Sequence, residues 1–157
     1  MFEKEKGGML SVVQIGRVQR GEGGIHLVID EAYRSALKNL GLFSHVMVLW
    51  WAYRHDNPAS RGRLETTPPY AQGHVMGVFA TRAEYRPNPI ALTTCKLLDV
   101  DVQQGVVKVA EIDALDGSPL IDMKAYFPVC DRVREVRIPD WLSDLPDWMP
   151  DEGLGLD

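Results

Sequence analysis

Apolar positions in this chain recur in short blocks with a period near two, and one stretch follows a helical period. Leu10 to Val18 and Ile25 to Ile29 read as two strands joined by a turn at Gly21-Glu22-Gly23-Gly24. Asp30 then has the character of a helix N-cap, and Glu31 suits the positive end of a helix dipole. Tyr33, Ala36, Leu37 and Leu40 share one helical face and Gly41 stops it, which predicts a helix of about ten residues. Ser44 to Tyr53, SHVMVLWWAY, is apolar enough to predict a central strand buried on both faces.

Residues 54 to 74 lose periodicity and carry three prolines and three arginines, as a long functional or mobile loop does. Strands are expected again over Val75 to Ala80, Ile90 to Val100, Val106 to Ile112 and Leu120 to Phe127. In the last, Ile121, Met123, Ala125 and Phe127 alternate with Leu120, Asp122, Lys124 and Tyr126. Seven strands and one short helix predict an all-β fold, an antiparallel seven-stranded barrel that is closed or nearly so. That barrel is expected over residues 1–138. Residues 139–157 follow as an acidic tail, in which Pro139, Pro146 and Pro150 forbid a long helix. Trp141 and Trp148 fit either a strap pinned to the barrel or a segment that docks a partner.

Composition narrows the class. With 157 residues, 45 % hydrophobic and 25 % charged, the chain is expected to form one globular domain. No apolar run has the length of a membrane span, and MFEKEKGG lacks the pattern of a secretory signal. Cys95 and Cys130 lack metal or disulfide spacing and suit a reducing cytoplasm. His26, His45, His55 and His74 have no ligand spacing either, so no metal is expected. The net charge is -5, but six of the 22 acids fall after Pro139, where no lysine or arginine occurs. The body is therefore close to neutral, without the overall basic balance usual in a nucleic-acid binder.

Two segments go beyond what folding asks. In GVFATRAEYRPNPI, Gly77 to Ile90, Arg86 and Asn88 each precede a proline and are held extended. Beside Arg82 and Tyr85 they form a stiff ledge suited to a phosphate, a carboxylate or a base edge, or a rigid connection and nothing more. IDALDGSP, Ile112 to Pro119, contains the turn signal Asp116-Gly117 and carboxylates that could hold a ligand. Asp122 and Lys124 read equally well as ligand contacts or as a solvated pair.

GVFATR, RPNPI and DALDGSPLIDMKAY, preceded by IGRV and LGLFSHVMVLWW, together resemble the TrmO (TsaA-like, YaeB) family across about residues 12 to 128. The resemblance implies a β-barrel, homodimeric, cytoplasmic tRNA methyltransferase that uses S-adenosyl-L-methionine. Its acceptor is N6 of threonylcarbamoyl-adenosine in the anticodon loop. It implies cofactor contacts at Tyr53, Arg54, Arg82, Thr93, Ile112, Asp113, Ala114, Leu115 and Asp116. The family usually has histidine where Tyr53 stands, and its larger members have a C-terminal domain without a counterpart in this sequence. On chemical grounds Asn88, Lys124 and Tyr126 are candidates for catalysis, with Arg61, Arg63 and Arg86 for RNA contact. The same cofactor chemistry on a small-molecule acceptor, or a non-catalytic sensor of the cofactor, are the alternatives.

Overall fold

The computed structural model describes residues 7–153. Residues 1–6, most of the segment tested for a secretory signal, and 154–157, the end of the acidic tail, lie outside the described residues. The strands in chain order are β1 (Gly16–Gly21), β2 (Gly24–Ile29), β3 (His45–Trp51), β4 (Glu65–Thr66), β5 (Met76–Gly77), β6 (Ile90–Asp101), β7 (Val106–Val109) and β8 (Pro119–Ala125). Six of them close an antiparallel barrel in the order β1-β2-β7-β6-β3-β8, and β4 and β5 form a separate two-stranded sheet. The expected barrel is present with six strands instead of seven. The fourth expected strand, Val75 to Ala80, contributes only Met76–Gly77, whose partner is Glu65–Thr66, and then turns into a 3-10 segment.

Gly16, inside the IGRV motif, sits where β1 is wedged between β2 and β8, opposite Ile29 on one side and Leu120 on the other. A Cβ there would lie 2.2 Å from the Val28 carbonyl oxygen, so the close approach of the strands requires glycine. The first strand starts at this pinch and not at Leu10; Leu10, Val12 and Val13 are exposed.

The expected helix after Asp30 is two 3-10 segments, Glu31–Leu37 and Leu40–Leu42, separated by Asn39 at φ 67°. Asp30 makes no side-chain cap bond, and within these segments only Leu37 is fully buried. Without a cap or a full apolar stripe, there is too little contact to fix a longer α-helix. The α-helical turns occur elsewhere, as α1 (Pro58–Arg61) and α2 (Pro128–Asp131).

On β3, Val46, Val48 and Trp50 fill the core, whereas His45, Met47, Leu49 and Trp51 are half-buried on the outside. Burial on both faces was expected. Instead the outward side chains are only partly covered by their cross-strand neighbours, among them Lys124 opposite Met47 and Asp122 opposite Leu49. β8 departs from strict alternation. Between Leu49 and Trp50 the register shifts, so Trp50 faces Leu120 and Val48 faces Met123. The bulge at Ile121 turns Leu120 into the core, away from the polar set to which alternation assigned it.

The described part of the tail lies against the body as a strap. Asp151 pairs with Lys96 at 2.7 Å, and the Trp141 ring stacks on His74 at 4.0 Å. Lys96 and its hydrogen bond hold the Asp151 carboxyl below its ordinary range. Trp148 stays mostly exposed beneath the Arg132 guanidinium.

Both cysteines are free; Cys95 is buried on β6 and Cys130 exposed. Burial, helped by Asp113 and Glu111, pushes the Cys95 thiol up to about 12. An alkylating reagent at mildly alkaline pH should therefore modify Cys130 alone until the chain is unfolded, as mass spectrometry would record. Native-state labelling of Cys95 as fast as Cys130 would contradict the burial.

Candidate functional site

The stiff ledge and one residue of the β7–β8 connection meet around a pocket of about 360 Å³. Arg82, Glu84, Arg86, Asn88 and Asp113 contribute polar groups, Phe79 contributes an aromatic one, and the buried Trp50 borders the pocket. Phe79 is 80 % exposed, so one ring face is open to solvent at the rim. Burial raises the Glu84 carboxyl above its ordinary range; nearby His55 opposes the shift and Asp113 adds to it.

The two segments hold their shape by different means. Arg86 folds back on its own loop and donates to the carbonyl oxygens of Val78, Thr81 and Ala83. The β7–β8 connection is gripped from β1. Arg20 Nε donates to the Ala114 carbonyl at 2.8 Å, its Nη2 donates to the Ile112 carbonyl, and its backbone N–H donates to Asp116 Oδ1. Gly117, at φ 78°, closes the turn that follows Asp116. Sequence reasoning named the residues that Arg20 holds but missed Arg20, whose signal was only an arginine beside a glycine turn.

The residues expected to bind the cofactor are thus divided. Arg82 and Asp113 line the pocket. Ile112 and Ala114 point into the core, Leu115 is exposed, and the Asp116 carboxylate accepts from Arg20. Thr93 is inside the barrel, where its Oγ1 accepts from Trp50 Nε1 at 3.1 Å. With Asp113 it also borders a smaller depression, of about 20 Å³, walled by tail residues including Met149 and Asp151. Tyr53 and Arg54 form a 3-10 turn after β3 and do not line the pocket.

Of the three residues named for catalysis, only Asn88 is at the pocket. Its Oδ1 accepts from Arg61 Nη2 at 3.3 Å. Lys124 pairs with Asp122 at 2.9 Å, and Tyr126 meets the His45 ring edge on. Lys124 lies opposite Met47, while the ledge enters β6 opposite Trp51, four residues further along β3 and on the order of 13 Å away. The candidates for RNA contact are similarly engaged. Arg61 pairs with Asp56 at 2.8 Å, and that contact, with the Trp51 N–H, holds the Asp56 carboxyl below its ordinary range. Arg63 lies over the Tyr85 ring and donates to Thr66 Oγ1.

Residues 11–132 match the model of the tRNA-methyltransferase O N-terminal domain family. The chain belongs to this family. An Archaeoglobus fulgidus relative named S-adenosyl-L-methionine-binding protein is 38 % identical over 110 residues, covering 70 % of this chain and 74 % of the relative. The Escherichia coli tRNA (adenine(37)-N6)-methyltransferase is 34 % identical over 118 residues, covering 73 % of this chain and 49 % of that enzyme. Among solved structures, TrmO from Pseudomonas aeruginosa superposes with a TM-score of 0.64 at 26 % identity, over 83 % of this chain and 61 % of that one. The chain therefore spans about half of the Escherichia coli enzyme and under two thirds of the solved TrmO chain.

S-adenosyl-L-methionine, the cofactor the family implies, fits the groups that are present. It carries a sulfonium cation, an amino-acid carboxylate and a planar base. The pocket offers the Asp113 carboxylate and the Arg82 guanidinium, with the Phe79 ring at its rim, in a volume within the usual range for small ligands.

Proposed function

We propose that this chain binds S-adenosyl-L-methionine and methylates N6 of threonylcarbamoyl-adenosine in the anticodon loop of tRNA. The observation that carries the reading is the meeting of two separated family segments, Gly77 to Ile90 and Asp113 of Ile112 to Pro119, around one pocket with charges of both signs. When bound, the cofactor supplies an electrophilic methyl group on sulfur. The work of this chain is positioning, because methyl transfer needs alignment more than covalent help. Arg82 suits a carboxylate, and the Asp113 carboxylate suits the positive end of the ligand. Arg61 donates to the Asn88 amide oxygen and holds that side chain at the pocket.

An anticodon-loop base is already unpaired and enters such a pocket at low cost, and the exposed Phe79 ring offers it a stacking surface. The division into a catalytic barrel (1–138) and an acidic tail (139–157), a homodimeric assembly and a cytoplasmic location belong to the same proposal. Exposed Leu64 and Val75 beside the small β4–β5 sheet support a second copy packing there. Among the described residues, no helix is long and apolar enough to cross a membrane.

Calorimetric titration with S-adenosyl-L-methionine, alone and with threonylcarbamoylated tRNA, tests the reading. Saturable cofactor binding, with modified tRNA bound more tightly when cofactor is present, is the expected result. Failure of the folded chain to bind cofactor would overturn it.

A further inference from the structure

We propose that Glu84 takes up the proton released from the acceptor nitrogen, and that His55 positions it for that task. The inference rests on the methyl-transfer reading and deepens it. The acceptor nitrogen carries one hydrogen, and its lone pair is delocalised into the purine and the carbamoyl carbonyl. As a neutral group it is a poor nucleophile, and removal of its proton as the new bond forms restores its reactivity. The balance is closed: nitrogen gains the methyl carbon and loses its hydrogen. The carbon–sulfur electron pair of the donor stays on sulfur, and the proton passes to a Glu84 carboxylate oxygen.

Glu84 lines the pocket, and its Oε2 lies 3.4 Å from His55 Nε2. The other ring nitrogen of His55 is 3.3 Å from Ser60 Oγ, and Ser60 is fixed by its backbone N–H donating to Asn57 Oδ1. The edge of the imidazole meets the Tyr85 ring, and the Tyr85 hydroxyl shares a 2.9 Å hydrogen bond with Thr66 Oγ1. A hydroxyl, an imidazole and a carboxylate are therefore aligned toward the pocket, each braced by a neighbour.

Glu84 and His55 are only about one-third exposed (36 % and 33 %), unlike the open Lys124–Asp122 pair. The charged groups around Glu84 are His55 from the turn after β3, Asp113 from the β7–β8 connection, and Arg82 and Arg86 from its own loop. Arg86 is bonded to three carbonyls of that loop, which leaves the His55 imidazole as the basic group at contact distance. Burial and Asp113 make the carboxylate a stronger base than a surface glutamate, and the neighbouring His55 opposes that shift.

The test is single-turnover methyl transfer to threonylcarbamoylated tRNA across roughly pH 5 to 9, beside carbon-13 NMR titration of the Glu84 carboxyl. E84Q should slow transfer by about 100-fold or more, remove the rising limb of the pH profile, and leave cofactor affinity within about threefold. H55Q should retain the limb, with its midpoint and the NMR midpoint both moved upward. Wild-type transfer matched by E84Q within about twofold, with an unchanged profile, overturns the role of Glu84 alone. Absence of transfer by the wild-type chain overturns the substrate reading, and this role with it. If E84Q does not fold, E84D decides: a slowed rate with the limb retained supports the proposal, and an unchanged rate overturns it.

Discussion

Replacement of Trp50 by alanine is expected to lower stability by about 3–5 kcal/mol, the usual range for losing a buried tryptophan. Trp50 is 3 % exposed and points into the barrel from β3, between Ala91 on β6 and Leu120 on β8. Its truncation opens a cavity and also deprives the buried Thr93 hydroxyl of the indole N–H that meets it at 3.1 Å. In a domain of this size the melting temperature should fall by roughly 10 °C. Trp50→Phe keeps most of the volume and loses the hydrogen bond, so its cost should be about 1–2 kcal/mol. Thermal unfolding followed by far-ultraviolet circular dichroism reads both variants. A Trp50→Ala protein that melts with the wild type would mean that the ring is not part of the packed core. Trp50 also forms part of the pocket wall, so the same truncation should weaken ligand binding in whatever fraction remains folded.

The second large effect is on binding. Arg20→Ala removes the side-chain donors to the Ile112 and Ala114 carbonyls, and part-buried carbonyls without donors cost about 1–3 kcal/mol each. The barrel does not depend on these bonds, but the connection that carries Asp113 to the pocket does. Cofactor affinity should fall by about tenfold or more while the circular dichroism spectrum is retained, and amides 112–117 should exchange faster. Arg20→Lys should not restore binding, because an ammonium cannot span the two carbonyls as the guanidinium fork does. Cofactor affinity within about twofold of wild type in Arg20→Ala would show that the connection keeps its shape unaided.

Much of the barrel was legible because its strands are local patterns. The run from Ser44 to Tyr53 and the alternation from Leu120 onward locate β3 and β8. What escaped was non-local or marginal. The bulge at Ile121 exists only in the pairing of β8 with β3, so no pattern within β8 could announce it. Two-residue strands such as Glu65–Thr66 lie below the length at which periodicity carries information. The segment after Asp30 has a helical spacing but lacks a working cap and a fully buried stripe, and it settles as 3-10 turns.

The site was legible in a similar measure. Rigidity around Pro87 and Pro89 pointed to the ledge that lines the pocket. The bond from Arg20 to Ala114 spans 94 positions, and a contact of that range leaves no trace in local pattern. Glu84 was hidden for another reason. A glutamate in a charged loop is unremarkable until the fold brings His55 beside it. Lys124 and Tyr126 were named for chemistry that their residue types allow, and the alternation that carried them gave no information about distance from the ledge.

The central claim is methyl transfer to one modified base. Its most direct test is incubation of the chain with methyl-labelled S-adenosyl-L-methionine and tRNA with or without the threonylcarbamoyl group, followed by nucleoside analysis. Label confined to N6 of the modified adenosine is the predicted result. Label absent from both tRNAs, with the chain folded and bound to cofactor, would contradict the claim and leave a cofactor-binding barrel that acts on a different acceptor or on none.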